Sequence, residues 1–108
     1  MKYGIALESR IASWAIFGDK VFVPKHAKII FNKLYPKELE KLRNKVCPWC
    51  GKTFSSRRTL KLHLKSFRRN RSCNFAFNSM VKDVTNIYME LLWRKNKDKA
   101  LAELLVTK

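Results

Sequence analysis

Apolar residues recur at three- and four-residue spacing through residues 75–94: Phe77, Met80, Val81, Val84, Ile87, Tyr88, Leu91 and Leu92 share one side of a 3.6-residue period. This strongest periodic signal in the chain predicts an amphipathic helix over 75–94. Two shorter helices are expected before it. Pro24 suits a first helical turn, and Ile29, Ile30, Phe31 and Leu34 form a stripe that must stop before Tyr35, because a residue preceding proline avoids helical angles. Pro36 then opens residues 36–45, good helix formers with Glu near the start and Lys and Arg near the end, an order that complements the peptide dipoles. Beyond polar residues 96–99, where Asp98 can serve as a cap, Leu101, Leu104 and Leu105 predict a last short helix.

The first residues carry a different pattern. Residues 3–23 alternate loosely between apolar and polar, and Gly18-Asp19 separates the apolar runs 11–17 and 21–23, which predicts a β-hairpin. A helix over 7–17 is the competing reading, since Leu7, Ile11, Trp14 and Ala15 would fall on one face. The hairpin is preferred, and either arrangement supplies core.

Composition narrows the function classes. An apolar fraction of 46% with thirteen aromatic residues in 108 sets the chain apart from disordered tails. Its 24 Lys and Arg against 8 Asp and Glu leave a net charge of +16, so an anionic partner is expected. Surface ion-pair networks do not explain this excess, because they need acids in similar number. Three cysteines cannot all pair, and the run 11–17 is too short for a secretory leader, so a reducing, intracellular setting is expected. No stretch approaches the roughly 18 apolar residues of a bilayer span, and no membrane association is expected.

The chemistry concentrates in residues 46–73. Cys47-x2-Cys50 is followed, twelve residues later, by His63, with Phe54 and Leu60 between them. Two thiolates on a tight turn and an imidazole from a helix suit a d10 ion that takes nitrogen and sulfur in a tetrahedron. A lone Cys-x2-Cys is also compatible with a redox dithiol, but that motif belongs beside a βαβ unit not seen in this pattern. These residues resemble a C2H2-type zinc finger. The resemblance implies one structural Zn2+, a ββα fold over 46–73, a small core of Phe54 and Leu60, a close turn at Gly51 and an outward Lys52. The whole is then an α+β protein, with a finger between a hairpin and helices in 1–45 and helices in 74–108 that pack with 1–45 as one core. Single fingers in small lysine-rich chains resemble those of archaeal viruses and plasmids.

The chain departs from the family at the fourth ligand, which is usually supplied about three to five residues after the first His. Here the next ligating side chain is Cys73, beyond nine intervening residues, so Cys73 is expected to complete the set in a C2HC-like variant once the finger helix ends near Phe67 and the chain loops back. His26 is the competitor, and a partly exposed helix position beside Lys25 and Lys28 is the plainer account of it.

Residues 52–71 hold eight basic side chains and no acid: Lys52, Arg57, Arg58, Lys61, Lys65, Arg68, Arg69 and Arg71. Finger helices of this family enter the major groove, and the positions that would read bases are Ser56, Thr59 and Leu62, none able to make a bidentate contact. Arg58 is the best candidate beside them, while Arg57, Lys61, Lys65, Arg68 and Arg69 are expected on phosphates. The expected function is nucleic-acid binding, to duplex DNA in transcription regulation. Two alternatives are a module for an acidic protein partner and an RNA binder that stacks Trp49, Phe67 and Phe75 on unpaired bases. More contact surface than one finger is needed, from the flanking helices or from a homodimer through the apolar face of the 75–94 helix; packing of that face inside the chain is preferred. An enzyme is not expected: the acids are scattered, and only His26 and His63 are present.

Overall fold

In a computed structural model of the chain, residues 2–66, 68–94 and 96–106 are described, and Phe67, placed by the sequence at a helix end and in a stacking role, lies outside them. Leu7, Ile11, Trp14 and Ala15 are all buried, a spacing that only a helix can place on one side, and helix α1 accordingly runs over Lys2–Phe17. The expected N-terminal hairpin is corrected by this helix. Gly18, with φ +80°, ends α1 and leads into a single 3-10 turn, Gly18–Lys20. Its role is helix termination, where the sequence reading had given Gly18-Asp19 the turn between two strands.

Helix α2, Lys25–Leu34, and helix α3, Pro36–Arg43, follow the proline signals, with the break at Tyr35. Helix α4, Arg57–Lys65, carries His63 and is capped by Ser56, whose side chain accepts from the Thr59 N–H. The long central helix α5 covers Arg71–Leu91, starting a turn earlier than the periodicity predicted, and α6 covers Lys97–Val106. The 75–94 stripe is taken up within the chain: Phe77, Met80, Val81, Val84, Ile87 and Leu91 are buried as α5 packs on α1, α2, α4 and α6.

Among the described residues the protein is all-α, and the α+β class with a ββα finger is corrected by a single isolated antiparallel bridge between Val46 and Thr53. The reason is space. On one side α3 runs to Arg43 and closes with the pairings Val46 N–H to Lys41 C=O and Lys45 N–H to Leu42 C=O, a Schellman end with Lys45 at φ +64°. On the other, the Ser56 cap begins α4 three residues past Thr53. No length is left for strands on either side of the metal turn.

One apolar core unites these elements, and it includes Leu60 and Leu64 of α4 together with the thiols of Cys47 and Cys73. Arg43 locks α3 to the end of α1. Its guanidinium donates to the Trp14 and Ala15 carbonyls, stacks 4.6 Å from the Trp14 ring centre, and lies 3.5 Å from where a Cβ on Gly18 would sit. Burial, opposed by nearby Asp19, lowers its pKa.

Candidate metal centre

The Schellman turn after α3 delivers Val46 into a knuckle held by two backbone bonds, Cys47 N–H to Lys52 C=O and Gly51 N–H to Cys47 C=O, each 2.9 Å. Gly51 has φ +76°, the left-handed region this closure requires. Cys47 is thereby fully buried and Cys50 exposed on the two sides of the knuckle. Helix α4 brings the third group. Leu60 and Leu64 are buried completely, and His63, between them in sequence, lies 4.9 Å from the Phe54 ring centre to centre and turns toward the knuckle.

The fourth group arrives with the start of α5. Two asparagines a helical turn apart fasten that start to the end of α4: Asn70 Nδ2 donates to the His63 carbonyl at 3.3 Å and Asn74 Nδ2 to the Leu64 carbonyl at 2.7 Å. The Asn74 amide satisfies the Leu64 carbonyl and the Asn70 amide joins the Ser66 N–H on the His63 carbonyl, so that Cys73, between the two amides, is set against His63. Neither Asn was singled out in the sequence; their spacing of four across a helix start was the available signal. Arg43 was likewise passed over as one basic residue among many.

Cys47, Cys50, His63 and Cys73 bring their ligand atoms within 4.8 Å of one another, and this group can hold a metal ion. Cys50 Sγ and His63 Nε2 are 3.6 Å apart. With metal–sulfur and metal–nitrogen bonds of about 2.3 and 2.1 Å, a tetrahedral edge is about 3.6 Å, so the spacing fits. His26 is elsewhere, its Nε2 3.3 Å from Asp98 Oδ1, between α2 and α6.

Electrostatics within the group are uneven. Burial pushes the Cys73 thiol up to about 12, aided by hydrogen bonding with Cys47 and Cys50. At Cys50 burial acts in the same upward direction but is outweighed by the Lys52 backbone N–H, by the Cys47 and Cys73 thiols and by the Lys52 charge, so its pKa falls. Burial and the Lys52 charge lower His63, which keeps the imidazole in its neutral, ligating form. A divalent cation entering here must displace thiol protons.

Around the centre the basic residues take distinct positions. Lys52, Arg58, Lys65, Arg68, Arg69 and Arg71 are exposed. Arg57, also exposed, donates to the Arg43 carbonyl at 3.3 Å, while Lys61 is half-buried with its ammonium 5.5 Å from the Phe17 ring centre. Thr59 is spent locally, its hydroxyl 2.6 Å from that of Ser56. Trp49 packs edge-on against Phe77, whereas Phe75 is 70% exposed. Comparison with protein-family models, with curated proteins and with solved structures found no match. The metal centre therefore stands on its own donor set and geometry.

Proposed function

We propose that this chain is a nucleic-acid-binding protein in which one structural zinc ion, held by Cys47, Cys50, His63 and Cys73, fixes a basic surface that binds duplex DNA. Three thiolates and an imidazole are a soft, four-membered set suited to zinc in a closed structural site. The ion ties together the knuckle, α4 and the first turn of α5. Regulation of transcription is the role that the finger resemblance implies.

The observation that carries the reading is the segregation of charge. Residues 41–82, which contain all four ligands, hold twelve of the 24 basic residues and none of the eight acids. Four of these acids have partners of their own: Asp19 with Lys28, Asp98 with His26, Glu90 with Arg94, and Asp83 with the Tyr35 hydroxyl. A polyanion can neutralise this acid-free stretch and release its own counterions.

The test is retention of duplex DNA, single-stranded DNA and structured RNA by the zinc-loaded protein over a range of salt. Duplex binding that falls steeply with salt is expected. Preference for RNA would transfer the reading to unpaired bases, and the exposed Phe75 would then be the first residue to replace. Failure to hold any nucleic acid at low salt would leave an acidic protein as the partner.

A further inference from the structure

We infer that the duplex is gripped by its phosphates alone, without base readout, so that binding is independent of sequence. This rests on the duplex-binding reading above and concerns what kind of site such a protein occupies. Base selection needs side chains that reach base edges with paired donors or acceptors, chiefly Arg, Lys, Asn, Gln, Asp or Glu. Ser56 and Thr59, which face outward at the start of α4, are committed to each other: the Ser56 hydroxyl accepts from the Thr59 N–H at 3.2 Å, and the Thr59 hydroxyl donates to the Ser56 carbonyl at 3.0 Å. The Ser56 hydroxyl caps α4 and would uncap it by turning toward a base, while the Thr59 hydroxyl would have to give up its bond to the Ser56 carbonyl. Leu62, 60% exposed, offers at most an apolar contact to a thymine methyl.

The setting of α4 argues the same way. Helix α4 packs on both α1 and α5 with Leu60 and Leu64 fully buried, so only its outer face can meet a duplex, and that face carries Ser56, Thr59 and Leu62 at the reading positions. What remains accessible is charge spread over separate elements: Lys52 on the knuckle, Arg58 and Lys65 on α4, Arg68 and Arg69 on the connection to α5. Glu8 of α1 lines a surface cleft of about 240 Å³ with Lys65 and tempers that position. Scattered point charges match the repeating backbone of any duplex, and four or five contacts give a slope of log affinity on log salt of about −4.

The experiment measures zinc-loaded protein on a duplex enriched from a random pool by repeated selection and on a scrambled duplex of the same length, across salt, with Arg58→Ala, Leu62→Ala and Arg69→Ala alongside. Affinities for the two duplexes should agree within about threefold, against the thousandfold or more typical of specific sites. Arg58→Ala and Arg69→Ala should weaken both equally and each lower the slope by about one, and Leu62→Ala should leave their ratio unchanged. A selected duplex bound thirtyfold or more above the scrambled one, with Arg58→Ala or Leu62→Ala narrowing that gap by about tenfold, overturns the inference while duplex binding stands. Absence of binding to either duplex overturns the duplex-binding reading itself.

Discussion

The helical body and the metal-bearing end of this molecule are stabilised by different means, and the contrast explains where function can reside. The body, made of α1, α2, α6 and the later turns of α5, closes over large apolar side chains, with Ile11, Ile30, Phe31, Val84 and Leu91 withdrawn from solvent. Asp19, Asp83, Glu90 and Asp98 there find basic or hydroxyl partners. The metal-bearing end, residues 46–73, commits Leu60, Leu64 and the two buried thiols to the core, with Trp49 and Phe54 packed against it, and carries basic residues without a single acid. Apolar burial suffices where there is enough to bury; where there is little, a bound metal ion can take over and leave the surface free for other work.

Removing the metal should separate the two regions most sharply. Binding of structural zinc in small finger peptides is worth on the order of 10 kcal/mol, so chelation, or Cys47→Ala, is expected to abolish amide-exchange protection over 46–73 while α2, α6 and the later turns of α5 stay protected. Complete unfolding in one transition would show that the regions are a single cooperative unit. Arg43→Ala comes next. It removes two charge-assisted bonds to α1 carbonyls and the stacking on Trp14, for a loss of about 2 to 3 kcal/mol in a denaturant titration, and Arg43→Lys should recover little because a lysine cannot fork to both carbonyls.

How far the sequence revealed this arrangement differed between the same two regions. The gathering of Cys47, Cys50, His63 and Cys73 was legible because metal chemistry fixes donor type and spacing, and α2, α3 and α5 because prolines and a 3.6-residue stripe mark them. α1 was misread because Gly18 ends a helix as readily as it turns a hairpin, and the alternation of residues 3–23 was too loose to decide. Strands in the finger were carried over with the family resemblance, and the Schellman end of α3 left no room for them. The Asn70 and Asn74 amides and the Arg43 clamp depend on which helix ends meet in space, which one-dimensional spacing does not encode.

Tyr35 offers a smaller effect, readable by pH. Burial, then the 2.7 Å hydrogen bond to Asp83, raises its pKa to about 12 from an ordinary value near 10. The folded state thus keeps the proton longer than the unfolded chain, so this contribution is full below pH about 10 and is lost as pH rises through about 12. Tyr35→Phe should lower stability by about 1 kcal/mol at neutral pH and flatten its decline across that alkaline window, as followed by thermal melts. The smallest change runs the other way. Lys45→Gly relieves a left-handed residue at the close of α3 and should stabilise the protein by up to about 1 kcal/mol in the same melts, after the entropy cost of glycine.

The central claim is that one ion joins the knuckle, α4 and α5 through three sulfurs and one nitrogen, and cobalt substitution tests it most directly. Protein loaded with one equivalent of Co2+ should show the intense tetrahedral bands and sulfur-to-metal charge transfer of a three-thiolate site, and Cys73→Ser should reduce these to a two-thiolate spectrum with weaker metal binding. An identical spectrum and affinity in Cys73→Ser would contradict the account, because α5 would then have no part in holding the metal.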